Sequence, residues 1–202
     1  MSETEFDDTY RRQTPLPIEP PRAYTLPAVW LHWLTAILVM ATLPIAWIMT
    51  SLPDNDPRAD IYFTIHKSLG VTIFVLVVLR LVWRAIKPAP DLPQDIPPWQ
   101  ALAARINHWL LYAILLVMTL SGYLLTVAAG YPLSYFGLFD VPGFGKYQTV
   151  ADVADTLHVF GRLLVYLFVA VHLLAVIWHV AVRRDGTLDR ILPAQRRRDD
   201  PF

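Results

Sequence analysis

The chain contains no cysteine. Disulfides, thiolate zinc sites, thiolate-ligated iron–sulfur clusters and haem attached covalently through C-x-x-C-H are thereby excluded. Charge is scarce too. Asp, Glu, Lys and Arg supply 17% of the 202 residues, against roughly 25% in soluble domains. The formal net charge is zero, so bulk charge points to no nucleic acid and no membrane-surface attachment. The first 22 residues do not read as a secretory signal. They carry Glu3, Glu5, Asp7, Asp8, Arg11, Arg12, Glu19 and Arg22 without an apolar run, and a disordered polar tail is expected there.

What the sequence has instead is long uncharged apolar runs. Hydrophobic residues make up 55% of it. Four segments reach the roughly 20 apolar residues that a bilayer crossing takes: about 28–50, 61–86, 106–129 and 156–182. Nothing from Ala23 to Pro53, and nothing between Arg105 and Asp140, is charged. The spans predict an all-α integral membrane four-helix bundle over residues 23–186, followed by a basic tail over 187–202.

Charge placement sets the expected direction. Lys and Arg gather in the N-terminal tail, in the second connection (Arg84, Lys87, Arg105) and after span four (Arg183, Arg184, Arg190 and the run 196–198). The first and third connections are acidic, with Asp54, Asp56, Asp60, Asp140, Asp152 and Asp155 against Arg58 and Lys146. Both termini are therefore expected in the cytoplasm. The third connection, 130–155, is rich in Tyr and Phe. It suits an aromatic segment lying over the outer end of the bundle, and a plain interfacial aromatic belt explains it equally well.

All six histidines fall in the spans: His32, His66, His108, His158, His172 and His179. One such residue alone reads as a hydrogen-bonded core histidine. Six ionisable groups inside a membrane are costly and point to function. Their depths sort them. His66 and His158 lie near the outer ends of spans two and four, which run in the same direction. His172 is 14 residues after His158, about 21 Å deeper at 1.5 Å per residue, and His32 of span one falls at a similar depth. Fourteen residues at 100° each return to within about 40° of the start, so His158 and His172 share a face.

Haem iron accepts two axial imidazoles, and bundles build cofactor sites between facing helices. The expected pairs are His66 with His158 for an outer b haem, and His32 with His172 for an inner one, both held non-covalently. A bare zinc or iron site would want three or four converging ligands, commonly with carboxylates. The spans hold no Asp or Glu. Arg80 is 14 residues after His66 and falls at the inner level, where a haem propionate needs a cation. Arg84, Lys67 and Arg162 are further candidate propionate partners, although snorkelling at the interface explains Arg84 and Lys67 equally. Gly70, Gly122 and Gly161 let a flat macrocycle approach the backbone; small residues are also ordinary at membrane helix contacts.

The histidines sit within LHWL at 31–34, IHKSLG at 65–70, NHWLLY at 107–112, and LHVFG with VHLLAVIWH between 157 and 179. With VVLRLVWR at 77–84 and SGY at 121–123, this ordered set resembles the bacterial cytochrome b561 family over about residues 26–193. No single motif is specific; the set is. The resemblance implies two b haems on the pairs above, a bacterial inner membrane location, and a ubiquinone site on the inner side near His108 and His179. Two histidines at one membrane edge can bond both carbonyl oxygens of a quinone and move its protons.

The family includes a superoxide:ubiquinone oxidoreductase. The resemblance therefore implies transmembrane electron transfer, with superoxide the favoured outer donor and ubiquinone the acceptor. Acidic outer connections weigh against an anionic donor, while Lys67 and Arg162 can make a local positive pocket. Two other readings stay open. One is a membrane cytochrome serving a periplasmic redox protein; the other is a non-redox haem-binding membrane protein. An oxidoreductase is the favoured enzyme class.

Overall fold

The computed structural model describes residues 23–53, 55–91 and 96–193. The expected tail 1–22, Asp54 and the arginines at 196–198 lie outside these described residues.

Four long helices carry the chain: α1 Leu26–Ser51, α2 Arg58–Ile86, α3 Pro98–Ala128 and α4 Gln148–Trp178. Each apolar run becomes a helix because hydrocarbon offers the backbone no hydrogen-bond partner, so every peptide group must bond within its own segment. Hydroxyls inside the helices do the same. Thr35 Oγ1 donates to the Leu31 carbonyl at 2.6 Å, Thr42 to Leu38 at 2.7 Å, and Thr119 to Leu115 at 2.9 Å. Large apolar side chains point away from the bundle: Trp47 is 75% exposed and Leu174 64%. Such surface is unfavourable in water and suited to lipid. All four helices are long and apolar enough to cross a membrane. The protein is a multi-pass, all-α membrane bundle.

Helix direction alternates. At one end, Trp83 Nε1 of α2 donates to Thr25 Oγ1 just before α1, at 2.8 Å. Trp33 Nε1 donates to the Ile191 carbonyl beyond α4, also at 2.8 Å. The Arg190 guanidinium, 4% exposed, donates to the carbonyls of Pro90 and Asp91 between α2 and α3. This is the terminal end of the bundle. At the opposite end lie β1 Leu133–Tyr135 and β2 Phe139–Val141, an antiparallel hairpin pairing Leu133 with Val141 and Tyr135 with Phe139. Its turn has positive φ at Phe136 (50°) and Gly137 (74°). Ser68 of α2 pins it, accepting from Phe136 N–H at 2.8 Å.

Helix α1 packs along α2, α2 along α3, and α3 most closely along α4, while α4 makes few close backbone approaches to α1 or α2. Val39, Ile73, Val77 and Tyr112 form the core where α1, α2 and α3 meet.

Two helices outrun the expected spans. Helix α3 begins at Pro98 and α4 at Gln148, because helical bonding continues past the hydrocarbon once it is started. The expected outer connection 130–155 thus divides into the hairpin and the first turns of α4. Beyond Trp178 the chain continues as a π-helical turn, His179–Arg183, and then a short 3-10 turn, Asp189–Ile191.

Candidate functional site

Along α4 the residues Ala151, Ala154, His158, Gly161, Val165, His172 and Val176 are buried or half-buried among mostly exposed neighbours. Steps of three and four residues place them on one inward face. The histidines of that stripe meet rings from the two helices to which α4 makes few close backbone approaches. His158 faces His66 of α2, with ring centres 6.1 Å apart and planes at 87°. His172 faces His32 of α1 at 6.3 Å and 60°. Helices that meet through side chains and not through backbone leave width for a flat group.

The separations can be tested against a metal. A metal–imidazole bond is about 2 Å, and each ring centre lies roughly 1.1 Å beyond its nitrogen, so two axial rings stand about 6 Å apart. Both pairs fit. His108 of α3 approaches His172 more closely, at 5.4 Å, which is short for an iron between them. Among the described residues no group of three or more His, Asp or Glu side chains is arranged to hold a bare ion.

Local contacts prepare the rings. His158 Nδ1 lies 3.0 Å from the Met118 carbonyl, which can only accept, so the proton sits on Nδ1 and Nε2 is left for a metal. Ser121 Oγ adds a contact to the same Nδ1 at 3.2 Å. Gly122 lets the ring lie there, since a Cβ at that position would stand 2.9 Å from His158 Cε1. His66 Nδ1 is buried with no hydrogen-bond partner among the described residues, an arrangement that is costly unless a ligand engages the ring. Beside it, a Cβ on Gly70 would meet nothing within 4 Å. These features fit a haem at the His66–His158 pair; at the His32–His172 pair the ring separation alone does so.

The candidate cations divide. Arg80 Nη2 donates to His32 Nδ1 at 3.0 Å and its guanidinium lies over the Tyr112 ring, 5.2 Å from its centre. It therefore stands against a ring of the pair nearer the terminal end. Arg84 covers Trp109 at 5.6 Å. Lys67 Nζ donates to the Pro132 carbonyl at 3.3 Å, under the hairpin. Arg162 is exposed on α4, one turn from His158.

The two expected quinone histidines take different places. His108 joins the level of His32 and His172. His179 lies seven residues after His172, at the start of the π-helical turn, and pairs with Asp185, Nδ1 to Oδ2 at 2.6 Å. Sequence reasoning assigned no role to Asp185, Ser68 or Ser121. The partners of Ser68 and Asp185 are set by the hairpin and by the π-helical turn, which no apolar periodicity announces, and the contact of Ser121 with His158 is set by how α3 packs on α4.

Comparison with known proteins gives consistent matches. Residues 23–194 match the family model of prokaryotic cytochrome b561. Cytochrome b561 homolog 2 of Escherichia coli K12 is 34% identical over 173 residues, covering 85% of this chain and 92% of that protein. The probable superoxide oxidase CybB of Yersinia pestis is 29% identical over 180 residues, 87% of this chain and 98% of the relative. Cytochrome b561 homolog 1 of Escherichia coli K12 is 24% identical over 168 residues, covering 83% and 96%. Matched from the start of α1 to beyond α4, with paired histidines on facing membrane helices, the chain belongs to the prokaryotic cytochrome b561 family of haem b-binding, electron-transferring membrane proteins.

Proposed function

We propose that the chain passes electrons across the bacterial inner membrane, from a donor at the hairpin end to ubiquinone at the terminal end. The observation that carries this reading is the pair of facing histidine couples at two levels along α4, His66 with His158 and His32 with His172. Two b haems held there would supply one-electron carriers at two depths. The residues then divide the work. The Met118 carbonyl and Ser121 fix the His158 ring. Arg80 puts a positive charge beside His32, which favours an electron arriving at that level. His108 stands against His172 and can hydrogen-bond a quinone carbonyl close to that couple. His179 supplies a second imidazole nearer the terminal end, for proton exchange with water.

The basic residues near the terminal end favour a cytoplasmic side for it by the positive-inside rule, and this reading turns the hairpin end toward the periplasm. Superoxide is the favoured donor. Lys67 and Arg162 lie on the turns next to His66 and His158 and attract an anion, and a 29% identical relative is named a probable superoxide oxidase. The second reading is an electron carrier for a periplasmic redox protein with a basic face. It is favoured by the acidic rim of Asp140, Asp152 and Asp155.

Rapid mixing of the oxidised, haem-loaded protein with superoxide tests the choice. Reduction at near-diffusional rates, followed by reduction of added ubiquinone, is expected. No reduction by superoxide would remove that donor and favour the redox-protein reading. Fewer than two b haems per chain would remove the two-level path altogether.

A further inference from the structure

Helix α4 changes its winding at its last turn. From His179 to Arg183 the chain is π-helical, closed by Arg184 N–H donating to the His179 carbonyl at 2.7 Å. Arg184 then adopts a left-handed conformation, φ 53° and ψ 42°, which disfavours a non-glycine residue by roughly 1 kcal/mol. Wide turns and left-handed residues of this kind concentrate at functional sites. Their effect here is a fold-back that brings Asp185 Oδ2 to 2.6 Å from His179 Nδ1. The carboxylate is 4% exposed and the imidazole 16%. Arg183 Nε donates to the same Oδ2 at 3.0 Å, and Thr187 N–H to Oδ1 at 3.1 Å. Burial alone raises the Asp185 pKa, but hydrogen bonds from Thr187 and His179 outweigh it and hold the carboxyl at about 2. An ionised carboxylate only accepts, so the proton between the two groups belongs to His179 Nδ1.

We propose that Asp185 is a positioning residue for His179, locking its Nδ1–H tautomer so that Nε2 is the ring atom that exchanges protons with bound quinone. This rests on the reading of His179 as a quinone contact. A quinone takes up two electrons, delivered along the path from the outer donor, and two protons. For each proton, the N–H bond at Nε2 of the protonated ring breaks and an O–H bond forms on a quinone oxygen. The ring is left neutral with Nδ1–H still on Asp185, and water at the terminal end restores the Nε2 proton. The arrangement follows the general logic by which a buried carboxylate fixes which imidazole nitrogen is available.

The experiment uses the full haem-loaded chain, chemically reduced so that low-spin iron is diamagnetic, with ¹⁵N-labelled histidine. The His179 signal is identified by its loss in His179→Gln. In the wild type it is expected to report Nδ1 protonated and Nε2 bare. Asp185→Asn keeps the size of the side chain and an oxygen for Thr187 N–H, but presents an amide N–H to the ring and to Arg183 Nε. It should invert the tautomer while haem content stays unchanged. Reduction of a soluble short-chain ubiquinone should then lose about tenfold or more in kcat, with KM changed far less. A neutral wild-type His179 protonated at Nε2 and bare at Nδ1, or a tautomer and kcat unaltered in both Asp185→Asn and Asp185→Ala, overturns the positioning role alone. A wild type that passes no electrons to any quinone overturns the parent reading, and this one with it.

Discussion

His158 Nδ1 on α4 meets the main-chain carbonyl of Met118 on α3 at 3.0 Å. A carbonyl held in a helix cannot follow a moving ring, so the imidazole has one place in which it keeps its bond. Gly122 borders that place, with a Cβ there reaching 2.9 Å from His158 Cε1. Gly122→Val should therefore push the ring off Met118 and remove or weaken the haem at the hairpin end, leaving the other. Gly161→Ala is a contrast: its Cβ would meet Met118 Sδ at 2.5 Å, and a flexible thioether can move. It should destabilise the α3–α4 packing by about 1–3 kcal/mol and keep both haems. Haem quantitation and thermal unfolding check the pair; full haem content in Gly122→Val would contradict the ring's placement.

The separations of the rings predict which histidines hold haem. His66→Ala and His158→Ala should each lose the same haem, and His32→Ala and His172→Ala the other. His108 approaches His172 at 5.4 Å, against 6.3 Å for His32. His108→Ala should keep both haems and slow ubiquinone reduction. If it is His108→Ala that loses a haem while His32→Ala keeps two, the ligand pair at the terminal end is wrongly drawn.

The four helices are legible in the sequence because a predominantly apolar run of membrane length has one stable conformation in lipid. The face shared by His158 and His172 is legible for the same reason: helical rise and rotation fix depth and direction from residue number alone. Other features depend on departures from that regularity. The hairpin needs positive φ at Phe136 and Gly137, and the Asp185 contact needs the π-helical turn and the left-handed Arg184. Neither repeats, so neither leaves a periodic trace. Arg80 marks the middle ground. Its level can be counted from His66, but its contact with the ring of His32 depends on how α1 packs on α2.

Ser68 ties the hairpin to α2. It is fully buried, donates to the Thr64 carbonyl at 2.7 Å and accepts from Phe136 N–H at 2.8 Å. Phe136 is held at φ 50°, a conformation that a bulky residue avoids. Ser68→Ala leaves the Phe136 N–H without its partner, which costs about 1–3 kcal/mol when buried. The hairpin should loosen before the helices do. Hydrogen exchange should rise selectively over residues 133–141 in Ser68→Ala, and a bulky water-soluble reductant should reach the outer couple faster. Unchanged exchange there would show that the hairpin is held by its aromatic packing instead.

Asp185 gives the terminal end an acid sensitivity whose sign can be worked out. Burial pushes its pKa up, but hydrogen bonds from Thr187 and His179 prevail and leave it at about 2, below the roughly 3.9 of an unfolded aspartate. A folded-state pKa that is depressed contributes stability that is fully present above the unfolded value and is lost as pH falls through the folded one. The window is therefore from about 4 down to about 2. Across it, the turn from His179 to Thr187 should lose the carboxylate that accepts from the ring, from Arg183 and from Thr187 N–H. Protection factors for residues 179–193, corrected for the intrinsic pH dependence of exchange, should fall in the wild type as the pH is lowered through this range. Asp185→Asn carries no titrating group at that position, so its protection should be lower at neutral pH and flat across the window. Equal acid sensitivity in the two proteins would place the titrating group elsewhere.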